Sequence, residues 1–321
     1  MQVLDDTVTQ FTIPTPFSVG DVHAYLLKGE VLTLIDAGVR TKDASDAMRL
    51  QLKELNYSPI DIEQIILTHH HPDHTGLIDD FPRAQMLSAH ENAERWVTGN
   101  ERFFQECEEF FLNCYRTWSV PEVYFGEASA NLLDVLNYGG RGTITNFLSE
   151  GGGLPGHEEW RVIETKGHAQ SHLSFLRDSD RVLVGGDHLL YHISPNPIIE
   201  PPQQSKQERA QPILQYRSSL HKCMELEVQK VYPGHGPVFS NVEEIIKKRL
   251  DKQEQRANHV YRLLQKEPMT PFEICRNLFP AQHEIQIDLT MSETIAQLDY
   301  LEDSGKTGKI FRNGRPVFYA K

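Results

Sequence analysis

The feature that most constrains this chain is a short stretch of titratable side chains, His69-His70-His71-Pro72-Asp73-His74. It directly follows residues 65–68, an apolar run typical of a buried strand. His69 and His71 are two residues apart in the sequence. Asp73 and His74 follow closely enough to turn toward a second metal ion. Imidazole and carboxylate groups together suit zinc, iron or manganese. The stretch therefore predicts ligands for two metal ions at the end of a strand.

Two other interpretations of the stretch are weaker. A histidine-rich run can be an expression tag, but this one is internal and is interrupted by Pro72 and Asp73. A solvated loop is the other alternative, although four titratable groups rarely follow a β-branched strand without a function. We therefore interpret the run as a metal site.

Such a site needs further ligands, and three candidates follow downstream, namely His168, Asp187 and His235. Each comes after a predicted strand, at residues 161–165, 181–184 and 228–232. A glycine precedes each candidate and lets the backbone turn where a Cβ atom would interfere. A single histidine of this kind is more often structural than metal-bound. An ordered set that follows the first motif favours metal ligation.

This ordered set resembles the metallo-β-lactamase superfamily. The resemblance is carried by His69-x-His71-x-Asp73-His74, by the three later ligands in order, and by Asp36-Ala37-Gly38 after a predicted strand at 31–35. It covers roughly residues 10 to 240. It implies an α/β fold, an αβ/βα four-layer sandwich of two facing mixed sheets with helices outside, and a metal site at one edge.

The resemblance also implies how the ligands divide between the two metal ions. The first ion takes His69, His71 and His168, the second takes Asp73, His74 and His235, and Asp187 bridges both. Zinc lactamases place a cysteine in the second site, but no cysteine of this chain lies in a matching motif. This departure argues against a dedicated antibiotic-degrading enzyme. Asp36 is expected to orient a ligand histidine through a hydrogen bond.

The expected chemistry is hydrolysis by a hydroxide that bridges two divalent metal ions, most simply zinc, with iron or manganese as alternatives. Asp73 is the candidate catalytic residue, because its carboxylate can both bind the second metal and handle a proton. Three further histidines are candidates for lesser roles. His172 is expected to support a ligand, and His188 and His192 either line the substrate pocket or satisfy local backbone groups.

Two segments extend the minimal sandwich of residues 1–240. The first is a helical insertion at about 90–150, with helix expected between about 90 and 135. Its apolar face comprises Phe103, Phe104, Cys107, Phe110, Phe111 and Cys114. These residues recur at three- and four-residue steps. The face can pack on the core, cap the metals or form a homodimer surface.

The second segment is residues 241–321. Helices are predicted at about 242–266, from Pro271 with Thr270 as its N-cap, and at 292–303. A hairpin follows at 306–320, in which Asn313-Gly314 suits a type I′ turn. This order resembles the winged-helix-like domain of the lactamase-beta-2-like branch, some members of which cut single-stranded RNA.

The net charge of the chain favours some of the possible substrates over others. The formal net charge of −13 repels a polyanion, so a small ester, thioester or lactone is favoured over RNA as the substrate. A single-strand-specific endoribonuclease is the alternative, and a non-catalytic metal-binding protein is the third possibility. With no apolar run of eighteen residues, no signal pattern and four scattered cysteines, we expect a cytoplasmic protein that does not contact a membrane.

Overall fold

The apolar runs that precede the candidate ligands form strands in the computed structural model, which describes residues 1–126, 129, 133, 136–203 and 208–321. In chain order the strands are β1 (Gln2–Val3), β2 (Val8–Ile13), β3 (Val22–Leu27), β4 (Thr33–Ile35), β5 (Gln64–Ile66), β6 (Met86–Ala89), β7 (Asn146–Phe147), β8 (Gly153–Leu154), β9 (His157–Glu164), β10 (Leu173–Arg177), β11 (Val182–Gly186), β12 (Lys230–Pro233), β13 (Thr307–Arg312) and β14 (Arg315–Ala320). The five strands expected before Asp36, His69, His168, Asp187 and His235 are thus β4, β5, β9, β11 and β12.

Helices occupy much of the remaining described chain. They are α1 (Lys42–Glu54), α2 (Pro72–Thr75), α3 (Glu94–Val97), α4 (Glu101–Thr117), α5 (Pro212–Glu225), α6 (Val242–Leu264), α7 (Pro271–Leu278) and α8 (Ile287–Asp303). Short 3₁₀ turns lie at Pro59–Asp61, Ile78–Asp80, Glu91–Ala93, Glu122–Tyr124 and Gln282–Glu284. Several helices begin at a side-chain cap. The predicted cap of α7 is confirmed, because Thr270 accepts a hydrogen bond from the backbone of Glu273 and the Glu273 carboxylate bonds back to Thr270.

The strands form two mixed sheets and a separate hairpin. One sheet has the order β1-β2-β3-β4-β5-β6-β7, antiparallel up to β4 and parallel beyond it. The other has the order β12-β11-β10-β9-β8, in which only β11 and β12 are parallel. The hairpin pairs β13 with β14.

Three apolar layers hold the sandwich together. The inner layer lies between the sheets and joins Tyr25 and Ile66 of the first sheet to Trp160 and Phe175 of the second. A second layer packs α1 on the outer face of the first sheet. A third packs α5 and the first turns of α6 on the outer face of the second. The expected αβ/βα sandwich is confirmed.

The insertion begins as predicted with helix, and its apolar face is partly buried within this chain. Phe103 packs edge-on against Trp96, and Cys107 is fully buried. Tyr115 and its neighbours pack into a core shared with α6, α7 and α8. Part of the helix expected up to residue 135 lies outside the described residues. A homodimer through this face stays a prediction.

The C-terminal unit, residues 241–321, has the expected order of helices and hairpin. α6 ends at Leu264, two residues before the predicted end, and α8 begins at Ile287, five residues before the predicted start. Asn313 and Gly314 have φ values of 50° and 74°, as the predicted type I′ turn requires. The winged-helix interpretation of this order stays a prediction.

Within the described ranges, every helix is too short or too polar to cross a membrane.

Candidate metal centre

The candidate ligands meet at one edge of the sandwich, where strands from both sheets end. The stretch from His69 follows β5 of the first sheet, and its short helix α2 begins at Pro72. His168 lies in the connection from β9 to β10, and Asp187 and His235 follow the parallel strands β11 and β12. A backbone hydrogen bond of 2.7 Å from Gly234 to Gly186 keeps the last two strand ends together.

One group of donor atoms belongs to three histidines. Nε2 of His69 lies 3.0 Å from Nδ1 of His71. One ring nitrogen of His168 lies within 4.8 Å of ligand-type atoms on both residues. This is the set of three side chains that the resemblance implied for the first metal ion.

A second group is formed by Asp73, His74 and His235, whose donor atoms also lie within 4.8 Å of one another. Nε2 of His235 is 3.2 Å from Oδ2 of Asp73, and Nε2 of His74 is 3.9 Å from the same oxygen. The structure therefore brings together the side chains implied for the second metal ion.

Asp187 lies between the two groups. Its Oδ1 is 3.4 Å from Nε2 of His74, and its Oδ2 is 3.5 Å from Nε2 of both His168 and His235. One carboxylate thus contacts members of both groups, as a bridging ligand must.

Hydrogen bonds around the cluster fix which nitrogen of each ring can face the metals. The Thr68 hydroxyl donates its proton to Oδ2 of Asp36, so its oxygen accepts from Nδ1 of His69 at 2.9 Å. Nε2 of His69 is then unprotonated and faces His71. Oδ2 of Asp36 also accepts from Nδ1 of His74 at 2.8 Å, which leaves Nε2 of His74 toward Asp187.

Backbone carbonyls orient the rings of His168 and His235 in the same way. Nδ1 of His168 donates to the carbonyl of Asn196 at 3.0 Å, and Nδ1 of His235 donates to that of Asp21 at 2.8 Å. Both rings therefore turn Nε2 toward Asp187. The sequence carries no local signal for these two contacts, because both partners are distant backbone groups.

The electrostatics of the cluster favour neutral imidazoles in the first group and charged carboxylates in the second. Burial lowers the pKa values of His69, His71 and His168, that of His71 to about 3. For Asp73 and Asp187 burial alone would raise the pKa, but the nearby histidines hold both pKa values below the usual range. Neutral rings and ionised carboxylates are the forms that bind metal ions.

His74 and His235 show the opposite shift. Burial alone would lower the pKa of each ring, but Asp187 and neighbouring carboxylates raise both pKa values above the usual range. A positive charge is thus stabilised where these rings face Asp73 and Asp187. A divalent cation would supply that charge in place of the protons.

Three buried atoms of the cluster that could bind a metal ion have no hydrogen-bond partner among the described residues. They are Nε2 of His74, Nε2 of His168 and Oδ1 of Asp187. A buried polar atom left without a partner costs about 1–3 kcal/mol. All three atoms belong to the cluster, and a mixed imidazole and carboxylate set suits zinc, iron or manganese. The residues fit two divalent metal ions.

His172 lies behind the cluster, as expected, and contacts Asp187 through the backbone. Its Nε2 accepts a hydrogen bond of 3.0 Å from the Asp187 amide, and its Nδ1 lies 2.8 Å from the hydroxyl of Thr165. A Cβ atom on Gly234 would lie 2.2 Å from Oδ1 of Asp187. The glycine before His235 is therefore required for the close approach of two ligand loops.

His188 and His192 lie in different surroundings. His188 is fully buried and packs edge-on against Tyr216, with ring centroids 5.2 Å apart. His192 is exposed and lines a cavity of about 300 Å³ beside α6, among residues such as Tyr191 and Arg249. A role of either histidine in a substrate pocket stays a prediction.

Comparison with known proteins agrees with the fold. The sequence profile of the Metallo-beta-lactamase superfamily matches residues 18–235. The Probable metallo-hydrolase YqjP of Bacillus subtilis is 40% identical over 297 residues, which are 92% of each chain. The Thioesterase pkgB of Emericella nidulans is 23% identical over 255 residues, 78% of this chain and 56% of that protein.

A solved structure extends the likeness over the whole chain. The metallo-beta-lactamase family protein TTHA1429 from Thermus thermophilus has a TM-score of 0.77 and 26% identity, covering 99% of this chain and 100% of that one. Both the sequence profile and the similarity to YqjP extend over more than half of the residues. The chain therefore belongs to the metallo-beta-lactamase superfamily.

Proposed function

We propose that the protein is a metal-dependent hydrolase that cleaves an ester, thioester or lactone of a small molecule. The observation that carries the proposal is the pair of ligand groups joined through Asp187. Similarity to proteins named metallo-hydrolase and thioesterase supports the same class of reaction.

Two divalent metal ions are the proposed cofactors, held by His69, His71 and His168 on one side and by Asp73, His74 and His235 on the other. When bound, such a pair supplies an acidified water as the nucleophile and polarises a carbonyl oxygen of the substrate. Zinc is our first choice, and iron and manganese suit the same donors.

Side chains around the proposed metal ions orient the ligands or accept a proton. Thr68 and Asp36 hold the rings of His69 and His74 in the orientation described above. We propose that the carboxylate of Asp73 accepts a proton during the reaction, because the histidines beside it keep it ionised. His172 keeps Asp187 in place through the Asp187 amide.

An aromatic pair lies beside the candidate ligands. The ring of His70, between two ligands in sequence, stacks on Trp96 with centroids 4.4 Å apart and 14° between the planes. Nδ1 of His70 is fixed by the Ser171 hydroxyl at 2.8 Å. We propose that this pair contacts the acyl part of the substrate.

The alternative, single-stranded RNA cleavage, is less well supported. α8 is the helix that a winged helix would insert into nucleic acid, and most of its residues are buried, including Glu293 and Asp299. Asp299 pairs with Arg209 through two contacts of 2.7 Å. A non-catalytic metal-binding role is the third possibility; it would need Asp73 only as a metal ligand.

The test combines metal content with a substrate panel. The protein is reconstituted with zinc, iron or manganese, its metal content is measured by mass spectrometry, and it is assayed on thioesters, lactones and single-stranded RNA. We expect two metal ions per chain and turnover of a carbonyl ester that a chelator abolishes. Asp187→Ala should remove both metal and turnover, whereas His192→Ala, at an exposed histidine, should keep them. Cleavage of RNA alone, or full activity without metal, would reject the proposal.

A further inference from the structure

We propose that the C-terminal unit positions the metal ligand His168, through a segment that we call the site loop, residues 188–203. The inference rests on the proposed metal centre. It assigns the C-terminal unit a part in the active site, with Asn196 and Ser292 as positioning residues.

The site loop contacts His168 directly. The carbonyl of Asn196 accepts the hydrogen bond of 3.0 Å from Nδ1 of His168. That bond sets the rotation of the ring and presents Nε2 to the cluster, 3.5 Å from Oδ2 of Asp187. Partners of this kind typically change metal affinity about 10–100-fold when they are lost.

A second contact holds the backbone next to the same ligand. Oε1 of Glu200 accepts a hydrogen bond of 2.8 Å from the amide of Gln170, two residues after His168. Glu200 is buried, and its neighbour Ile199 is 1% exposed. The loop that carries His168 is therefore hydrogen-bonded to the site loop at two points, the ring of His168 and the backbone amide of Gln170.

The site loop is in turn held by α8. Nδ2 of Asn196 donates to the carbonyl of Leu289 at 3.0 Å, and the hydroxyl of Ser292 accepts from the amide of Ile199 at 3.3 Å. Asn196 thus uses its side chain for α8 and its carbonyl for His168. One residue links the C-terminal unit to a metal ligand.

α6 anchors the other end of the site loop. Nη2 of Arg249 donates to the carbonyls of Leu190 and Tyr191 at 2.7 and 3.2 Å. Both carbonyls lie within four residues of Asp187. Arg249 is only 3% exposed, so its guanidinium is held mainly by contacts within the protein.

The anchors are rigid because the C-terminal helices share a core with the site loop. Ile199 packs with Phe272, Met291 and Ile295 in one buried cluster. Moving the site loop away from α8 would expose this cluster, at about 25 cal/mol for each Å² of apolar surface. The position of Asn196 is therefore set by packing as well as by hydrogen bonds.

The test measures metal binding in the full chain with Asn196→Ala and Ser292→Ala. Each substitution removes one bond between the site loop and α8 but leaves every proposed metal ligand in place. Zn²⁺ is titrated in competition with a chromogenic chelator, and Co²⁺ binding is followed by its visible spectrum. We expect one of the two sites to bind Zn²⁺ about 10-fold more weakly, with a changed Co²⁺ spectrum.

The matched control is Thr294→Val, which removes another buried hydroxyl of α8. Thr294 donates to the carbonyl of Thr290 within the helix. It should lower thermal stability while both Zn²⁺ affinities stay within about twofold, since its hydrogen bond does not reach the site loop. Parent-like Zn²⁺ affinity in either Asn196→Ala or Ser292→Ala would overturn the inference. A parent protein that binds no Zn²⁺, iron or manganese would instead overturn the proposed function.

Discussion

Asp73 combines burial with a lowered pKa, although burial alone would raise the pKa. Its carboxylate is buried, and its pKa is nevertheless held below the usual range by His74 and His235. The residue lies in α2, a helix of one turn outside the apolar layers of the sandwich. Its role is therefore expected to be chemical rather than structural.

Asp73→Asn should lower turnover by about 10²-fold or more, because the amide cannot accept the proton and is a weaker metal ligand. The midpoint of thermal unfolding should shift little. Steady-state kinetics on a confirmed ester substrate, together with a melting curve of the zinc-loaded protein, checks both expectations. Near-normal kcat in the variant would contradict the role given to Asp73.

Glu200 predicts a measurable pH dependence of stability. Burial raises its pKa to about 8, so the folded protein binds a proton that the unfolded chain releases near pH 4.5. The stabilisation is complete below about pH 4.5 and is lost as the pH rises toward 8. It amounts to a few kcal/mol, since each unit of pKa shift corresponds to about 1.4 kcal/mol.

Glu200→Gln should remove this dependence, because the amide keeps an acceptor for Gln170 and does not ionise. Urea unfolding in the presence of a chelator, at about pH 5, 6.5 and 8, compares the variant with the parent. The advantage of the variant should grow with pH. Parallel curves would mean that Glu200 titrates normally.

The sequence predicted the members of the cluster but few of the residues that hold them. Alternation and strand ends are visible in sequence and single out the candidate ligands, and the family resemblance grouped His69, His71 and His168. Thr68 was adjacent to the motif and could have been noticed as a hydroxyl within reach of His69. Asn196 acts through its carbonyl, which every residue has, so the sequence contains no signal for it.

At the level of elements, α8 begins five residues before its predicted start. Twelve of its seventeen residues are buried. Asp299 and Glu293 are paired with Arg209 and Arg256, which come from other parts of the chain. A helix with partners on several sides has little one-sided periodicity, so the sequence contains a weak signal for where it begins.

Ile295→Ala should destabilise the protein by about 2–5 kcal/mol, because it opens a cavity in the core shared by α4, α6 and α7. Ile285→Ala is the matched control at a side chain that is 75% exposed, and it should change stability by less than about 0.5 kcal/mol. Denaturant unfolding measures both. Similar losses in the two variants would contradict the buried position of α8.

At the scale of the whole molecule, charge opposes binding of nucleic acid. The net charge is −13, and two of the four basic side chains of the hairpin region are already paired, Lys306 with Glu254 and Lys309 with Glu302. Few phosphates could then be neutralised. α6 contributes to two buried clusters, and the boundary at residue 240 stays a prediction.

Binding to single-stranded RNA should therefore be weak, and its affinity should depend little on salt between about 50 and 200 mM. Fluorescence anisotropy at the two concentrations measures this, with Arg312→Ala and Arg315→Ala to test the unpaired cations. Tight binding that weakens steeply with salt and is lost in these variants would favour the nuclease over the ester hydrolase.

The hydrogen bonds from α8 to the site loop have a consequence for synthesis. All seven proposed ligands lie between residues 69 and 235, but the helix that holds Asn196 begins at Ile287. A chain emerging from the ribosome exposes every ligand well before it exposes that support. We therefore expect a nascent chain halted before α8 to bind Zn²⁺ weakly and heterogeneously, so that both metal ions are retained only after the last helix has folded.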